Sequence, residues 1–139
     1  MANTTLSAAV RAFLSAPRFA VMATINADGL PQQTVLWYEV RGDAIILNTA
    51  RGRLKDQNLR RDPRVSICVA EAYQFVTITG RAELIDDQEI AQADILGLAV
   101  RYDGPEEGTR QAERFRKQER ITIKVRIEHV YQYGLGEGK

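Results

Sequence analysis

The run RITIKVRIEHVYQYG, residues 120–134, limits the possible folds more than any other segment of the chain. Four of its apolar residues alternate with polar or charged ones: Ile121, Ile123, Val125 and Ile127. Side chains of a β-strand point alternately to opposite faces, so this pattern predicts a long strand with one face against a core. Such a strand needs partners, and the rest of the chain must supply them.

Three earlier segments have the composition of strands and are separated by two tight turns. Asp28-Gly29 is a hairpin signal between the first two segments, and Gly42-Asp43 is a second turn before the third. We expect a three-stranded meander from RFAVMATIN (18–26), PQQTVLWYEV (31–40) and AIILNT (44–49).

Two further strands are predicted at RVSICVAEA (64–72) and QFVTITGRAELI (74–85). The only cysteine, Cys68, lies in the first of them and is expected to be a core thiol. Gly80 interrupts the second and predicts a bulge or a barrel corner. Six antiparallel strands in a chain of this size favour a closed or nearly closed barrel, because closure removes exposed strand edges.

Two helices are predicted in the first half of the chain. The first follows a threonine cap and ends at Pro17, with one apolar stripe formed by Leu6, Val10, Phe13 and Leu14. The second is GRLKDQNLRRD (52–62), which Asp62-Pro63 stops because the residue before a proline avoids helical geometry.

Two more helices are predicted between residues 86 and 118. Asp86 with Glu89 three residues later has the form of a capping box. The apolar stripe of the helix that follows consists of Ala91, Ile95, Leu98 and Tyr102. DGPEEG (103–108) is expected to be a solvated loop, and TRQAERFRKQ (109–118) a short charged helix.

Composition excludes several classes of site. The chain has 139 residues and a net charge of +1, which fits one domain spanning 1–139 without a general affinity for nucleic acid. A single cysteine and a single histidine, His129, rule out an internal disulfide and a multi-histidine metal site, so no metal is expected. No apolar run approaches the length of a membrane span, and a cytoplasmic location is expected.

The stretch NTARGRLKDQNLRRDPR, residues 48–64, contains six basic and two acidic residues, a local charge of +4. Arg51, Arg53 and Lys55 lie around the predicted helix start, where free N–H groups attract an anion and cations oppose the helix dipole. We therefore expect a bound anion there. Arg60 and Arg61 near the helix end are interpreted as solvated charges, and Arg64 is expected to pair with Asp62.

Two adjoining segments, ATINADGLPQQTVLWYEV (23–40) and LNTARGRLKDQNLRRDPRVSICV (47–69), carry a family resemblance. They resemble the flavin/deazaflavin-dependent split β-barrel proteins, the superfamily of pyridoxamine 5′-phosphate oxidase. The run RxKxxNLRRDPR (53–64) is most similar to the B branch of the flavin/deazaflavin oxidoreductases, which uses coenzyme F420. The resemblance implies a mainly β fold with flanking helices. It also implies a six-stranded antiparallel split β-barrel and a homodimer with the cofactor in a groove at the dimer interface.

The resemblance also implies which residues bind the cofactor. Arg53 and Lys55 match the phosphate-binding pair, with Asn58 beside them, and Arg51 is an addition that contacts either an acidic tail or solvent. The strand end that lines the sugar-like chain is Asn48, Thr49 and Ala50. The strand under the ring system is Pro31, Gln32, Gln33, Thr34 and Val35. Tyr73 matches an aromatic position near the ring or substrate that the other subunit often supplies.

The activity implied is hydride transfer from reduced F420 to a planar conjugated organic acceptor. No catalytic side chain is expected, because the cofactor carries the chemistry. Six basic residues favour F420, whose tail has carboxylates beyond the phosphate. The alternatives are an FMN-binding protein, a pyridoxamine 5′-phosphate oxidase-like flavin oxidase, and a non-catalytic cofactor-binding module. Of the adjacent aromatic residues Trp37 and Tyr38, one is expected to face the core and the other the groove or the second subunit.

Overall fold

The structure, a computed structural model, describes residues 5–136. In this range an antiparallel sheet of seven strands is flanked by four helices. The strands are β1 (Ala20–Ile25), β2 (Pro31–Leu36), β3 (Glu39–Arg41), β4 (Ala44–Ala50), β5 (Arg64–Glu71), β6 (Gln74–Ile85) and β7 (Arg120–Tyr133). The helices are α1 (Ala8–Leu14), α2 (Leu54–Arg61), α3 (Gln88–Asp103) and α4 (Pro105–Phe115).

The order of the strands across the sheet is β2-β1-β5-β6-β7-β4-β3. The two predicted hairpins are confirmed, but they lie at opposite edges, so the predicted meander is wrong. The second edge of β1 pairs with β5 and the second edge of β4 pairs with β7. β4 is almost wholly buried, which suits a strand with neighbours on both sides rather than the end of a meander.

The count of six strands is also wrong, because the segment 31–40 is divided into β2 and β3 at Trp37 and Tyr38. Tyr38 turns fully into the core, where its hydroxyl shares its single hydrogen between the carbonyl oxygens of Leu14 at 2.9 Å and Ala16 at 3.0 Å. Trp37 stays half-buried, so the expectation that one of the two faces the core is confirmed. The break joins the two edge strands and lets the sheet curl into a split barrel.

The core confirms the alternation from which the long last strand was predicted. Ile121, Ile123, Val125 and Ile127 are all fully buried. The prediction for Cys68 is wrong: it is half-buried and faces away from the core. The inward positions of β5 are Val65, Ile67 and Val69, and the two-residue period places Cys68 on the opposite face.

The predicted bulge at Gly80 is confirmed, and its extra residue, Glu128, lies on the facing strand β7. The register between β6 and β7 shifts between Thr79 and Gly80, and a Cβ at Gly80 would lie 1.9 Å from the carbonyl oxygen of Arg126. The close backbone approach therefore requires a glycine. The bulge bends β7 where it faces Gly80, while the pairing of β6 with β5 continues without a shift.

The helices begin at residues other than those expected. Ser7, not a threonine, caps α1, and its hydroxyl accepts from the Val10 N–H at 3.1 Å. Asp87, not Asp86, caps α3 through the N–H groups of Glu89 and Ile90. Asp86 is instead held by basic residues of the neighbouring strand end and helix α2, as described below.

The predicted solvated loop at 103–108 is wrong, because α4 begins at Pro105. Proline suits a first helical position, and Gly108 packs so closely on α3 that a Cβ would lie 2.6 Å from the Val100 nitrogen. Of the helices in residues 5–136, none has the length and apolarity needed to cross a bilayer.

Candidate cofactor-binding site

The start of α2 offers unused backbone donors next to the end of β4. The chain turns at Gly52, whose φ of +89° favours glycine, and Arg53 is the N-cap without a side-chain cap of its own. The buried Asp56 carboxylate accepts from the Gly52 N–H at 2.7 Å and fixes this turn. Within residues 5–136 the N–H groups of Leu54, Lys55 and Asp56 have no partner, so this end of the helix attracts an anion.

Carboxylates neutralise three of the six basic residues in 48–64. Arg51 pairs with Asp86 and with Glu119, in both cases at 3.0 Å. Arg60 bridges Asp86 at 2.7 Å and Asp56 at 2.8 Å, so its interpretation as a merely solvated charge is wrong. The expected pair of Arg64 with Asp62, 2.8 Å apart, is confirmed and holds the pKa of Asp62 at about 2.

A fourth basic residue, Arg61, bonds within the fold instead of to a carboxylate. Its Nη2 donates to the Ile25 carbonyl oxygen and to the Asn58 side-chain oxygen. The same Asn58 donates to Thr24 at 3.0 Å and to Asn26 at 2.9 Å, so both of its amide hydrogens are used. In this chain Asn58 fastens α2 to β1, and its predicted place beside the phosphate stays a prediction.

Arg53 and Lys55 are left without a counter-ion. Within residues 5–136 neither side chain has a hydrogen-bond or ion-pair partner. Lys55 is only 6% exposed, and its pKa is lowered by burial, then by Arg53 and by Arg120. The electrostatic neighbours that shift its pKa are therefore both cations, and the arrangement is stabilised when an anion enters.

Arg120 is a functional candidate that the sequence analysis missed. It is the first residue of β7 and lies opposite Ala50 at the end of β4, which brings it to the same edge as the start of α2. It is 7% exposed, and burial followed by the charge of Arg53 lowers its pKa to about 10. Only the register between β4 and β7 shows this proximity, because Arg120 is far from the basic stretch in sequence.

A cavity of about 230 Å³ is lined in part by Arg120. Its walls are mainly apolar or aromatic, and its lining residues are Phe19, Val35, Leu36, Trp37, Asn48, Ile95, Leu98, Phe115 and Arg120. Trp37 is fixed by stacking on Tyr102, with ring centroids 5.4 Å apart, and by an edge contact with Phe115 at 6.5 Å. Rigid aromatic walls of this kind suit a planar ligand.

The predicted ring-binding strand, 31–35, is β2 at one edge of the sheet. Pro31, Gln33 and Val35 expose their side chains, and Val35 lines the cavity. Gln32 accepts a hydrogen bond from Thr24 at 3.0 Å. The buried hydroxyl of Thr34 has no partner in residues 5–136. The strand thus lies beside the cavity, as its predicted role requires, while that role stays a prediction.

The predicted strand end Asn48, Thr49 and Ala50 completes β4. The Asn48 amide nitrogen donates to the Ala91 carbonyl oxygen at 3.1 Å and to Thr122 at 3.4 Å, and its oxygen accepts from Arg120 at 2.9 Å. Asn48 therefore positions Arg120 with no amide hydrogen left over. Thr49 is buried and Ala50 half-buried.

Tyr73 lies away from the other candidates. It is 84% exposed in the turn between β5 and β6, next to Ala72, whose φ is +54°. β5 begins after α2 and runs for eight residues, so at about 3.3 Å per residue this turn is roughly 25 Å from the end of α2. The contact of Tyr73 with a ring or substrate, which the resemblance often assigns to the other subunit, stays a prediction.

Together these features define a split-barrel protein with unpaired N–H groups and cations at a helix start and an aromatic cavity nearby. The family described as pyridoxamine 5′-phosphate oxidase matches residues 6–134, nearly the whole chain. The chain belongs to this family.

Solved structures agree with that membership. An "F420 Reductase" is 25% identical, with a TM-score of 0.72 over 87% of this chain and 94% of its own. The conserved hypothetical protein Rv2991 from Mycobacterium tuberculosis is 27% identical, with a TM-score of 0.79 over 98% of this chain and 89% of its own. General Stress Protein 26 from Bacillus anthracis shares the fold at 14% identity, with a TM-score of 0.67 over 89% of this chain and 90% of its own.

Proposed function

We propose that this protein is an F420-dependent oxidoreductase that transfers a hydride from reduced F420 to a planar conjugated organic acceptor. The observation that carries the proposal is the pair Arg53 and Lys55, which lies at free helix N–H groups and lacks a carboxylate partner within residues 5–136. Guanidinium, ammonium and N–H donors together match the oxygens of a phosphate group. This donor set fits the phosphate of a flavin or a deazaflavin.

Different residues around the site would have different roles in such an enzyme. Arg53 and Lys55 hold the phosphate, and β2 supports the ring, while the apolar cavity receives the acceptor and excludes water. The bound deazaflavin supplies the hydride chemistry, which explains why no acid–base pair is needed. The protein contributes position, since a flat acceptor must lie within about 3–3.5 Å of the reacting atom.

The support for F420 over FMN does not come from the number of basic residues. Arg51, Arg60 and Arg64 are paired with carboxylates. The positive charge expected for an acidic tail is therefore smaller than the count of basic residues indicates, and Arg53 and Lys55 are already assigned to the phosphate. The proposal of F420 is supported by the run at 53–64 and by the similarity to the "F420 Reductase". Arg51 stays a predicted tail contact that would first have to leave Asp86 and Glu119.

A fluorescence titration tests the proposed cofactor. Trp37 is the only tryptophan and lines the cavity, so its emission reports a ligand bound nearby. We expect F420 to quench Trp37 with at least tenfold higher affinity than FMN, a difference of about 1.4 kcal/mol. The reverse preference would move the protein to the flavin-binding members of the fold. If neither cofactor binds, the proposed function is wrong.

We also propose that the enzyme is a homodimer. The outer face of the sheet, together with Phe19 just before β1, exposes apolar and aromatic side chains that a second copy would cover: Phe19, Val21, Val35, Tyr131 and Tyr133. Tyr131 and Tyr133 both stand against Phe75, with ring centroids 6.0 and 5.7 Å away, so the patch is already ordered for packing.

Light scattering at micromolar concentration tests the dimer. We expect twice the mass of the chain for the wild type, and a shift to the monomer for Tyr131→Lys with Val35→Lys, because two buried charges oppose association. Arg110→Lys on the exposed face of α4 serves as the control and should remain dimeric. A monomeric wild type would contradict the proposed shared groove.

A further inference from the structure

The aromatic cavity contains one charged side chain, that of Arg120. The other lining residues are apolar or aromatic apart from Asn48, whose amide hydrogens are donated to Ala91 and Thr122. A guanidinium that is 93% buried in such surroundings loses hydration, and within residues 5–136 it has no carboxylate partner. Buried cations without counter-ions are costly unless a ligand supplies the opposite charge.

The hydrogen bonds of Arg120 leave part of its donor set free. Its Nε donates to Asn48 at 2.9 Å, and its Nη1 donates to the Gln118 side-chain oxygen at 2.6 Å. Its Nη2 has no partner among residues 5–136. The plane of the guanidinium is fixed by the Phe115 ring, whose centroid lies 4.8 Å from Cζ.

A chain of hydrogen bonds holds Arg120 in this position from behind. Asn48 accepts from Arg120 and donates to Thr122, and the Thr122 hydroxyl donates to the buried Asp94 at 2.7 Å. Asp94 also accepts from Arg41 at 3.0 Å. The Asp94 carboxylate at the end of this chain of hydrogen bonds is therefore already committed to Thr122 and Arg41, and it orients the site without neutralising Arg120.

We infer that Arg120 binds an anionic oxygen of the acceptor, so that the substrate is a planar aromatic or conjugated molecule with a carboxylate at its edge. This inference rests on the proposed function for the identity of the cavity as the acceptor site. A guanidinium with free N–H donors in an apolar cavity binds a carboxylate strongly and in a defined orientation. An engineered cavity of about 150 Å³ holds benzene, so 230 Å³ suits one to two fused rings.

Calorimetric titration with 2-naphthoate and its neutral isostere 2-naphthamide tests the inference. We expect the wild type to prefer naphthoate by at least tenfold. Arg120→Gln should weaken naphthoate binding by about 10- to 100-fold and naphthamide binding by less than threefold, because one charge-assisted hydrogen-bonded contact is lost. Arg120→Lys keeps the positive charge but loses the planar guanidinium. Its affinity for naphthoate should lie between those of the wild type and Arg120→Gln.

The matched control is Arg116→Gln, which removes the same charge from an exposed residue close in sequence. It should leave both affinities unchanged. Equal binding of the two probes by the wild type, or binding of neither, overturns the inference without requiring any variant to fold. The inference is also wrong if Arg120→Gln weakens F420 binding but not naphthoate binding, since Arg120 would then belong to the phosphate grip.

The F420 titration on the same samples separates this inference from the proposed function. F420 binding without a preference for naphthoate contradicts only the substrate class. A preference for naphthoate that depends on Arg120, in a protein that does not bind F420, contradicts the proposed cofactor and leaves the anion-binding cavity in place.

Discussion

Replacing Arg53 and Lys55 together by alanine is expected to weaken F420 binding by between about 100-fold and 10,000-fold, since each charge-assisted hydrogen bond contributes about 1.5–3 kcal/mol. The two side chains have no partner within residues 5–136, so their removal leaves no carboxylate unpaired in the fold. Burial and two neighbouring cations lower the pKa of Lys55, which means that its charge is unfavourable in the protein without a ligand. Removing this charge should therefore not destabilise the fold. The barrel should therefore remain folded, as circular dichroism would show.

The charge-matched control for this double variant is Arg64→Ala with Arg110→Ala. Both arginines are exposed and paired with nearby carboxylates, Asp62 and Glu107, and neither lies at the start of α2. The control should bind F420 with wild-type affinity. Unchanged affinity in the Arg53 and Lys55 double variant, or an equal loss in the control, would contradict the assignment of the phosphate site.

The second large effect concerns Gly80 of β6, which faces the bulge in β7. Gly80→Ala is expected to lower the free energy of unfolding by about 3 kcal/mol or to prevent folding, because added atoms in a closed backbone contact cause overpacking. A Cβ at this position would meet the backbone carbonyl oxygen of Arg126 at 1.9 Å, and backbone cannot rotate aside as a side chain can. Urea unfolding at one protein concentration measures the difference.

The matched control is Gly97→Ala in α3. Gly97 is an exposed helical residue, and a Cβ there would have no atom within 4 Å. Alanine should raise the free energy of unfolding by about 0.5–1 kcal/mol, because glycine loses more chain entropy in a helix. Equal urea midpoints for Gly80→Ala and the wild type would show that β6 and β7 separate easily at the bulge.

Local features of the fold could be predicted from the sequence, and long-range pairing could not. The alternation in 120–134, the turns at Asp28-Gly29 and Gly42-Asp43, and the bulge at Gly80 were all confirmed because each depends on a few adjacent residues. The meander was wrong because the partners of β1 and β4 are strands distant in sequence, and an apolar pattern does not specify which strand lies beside which.

The same distinction applies to the candidate site. Arg53 and Lys55 were found because a helix start with cations is visible in a short stretch. The pairing of Arg60 with Asp86, 26 residues later, could not be predicted from a short stretch. The number of basic residues expected to be available for an anion was therefore too large. Arg120 was missed for a related reason: it reaches the site through the register of β7 with β4.

Helices α3 and α4 form one continuous segment between Ile85, the last residue of β6, and Arg120, the first residue of β7. Ile85 nevertheless pairs directly with Thr122 of β7. The pairing of β6 with β7 therefore does not depend on the helical segment that connects them. Three lining residues of the cavity, Ile95, Leu98 and Phe115, belong to this helical segment, whereas the proposed phosphate-binding residues Arg53 and Lys55 lie at the start of α2. Under the proposed function, replacing the segment between Ile85 and Arg120 would change which acceptor fits and leave the proposed phosphate site in place, so one continuous segment would determine the substrate.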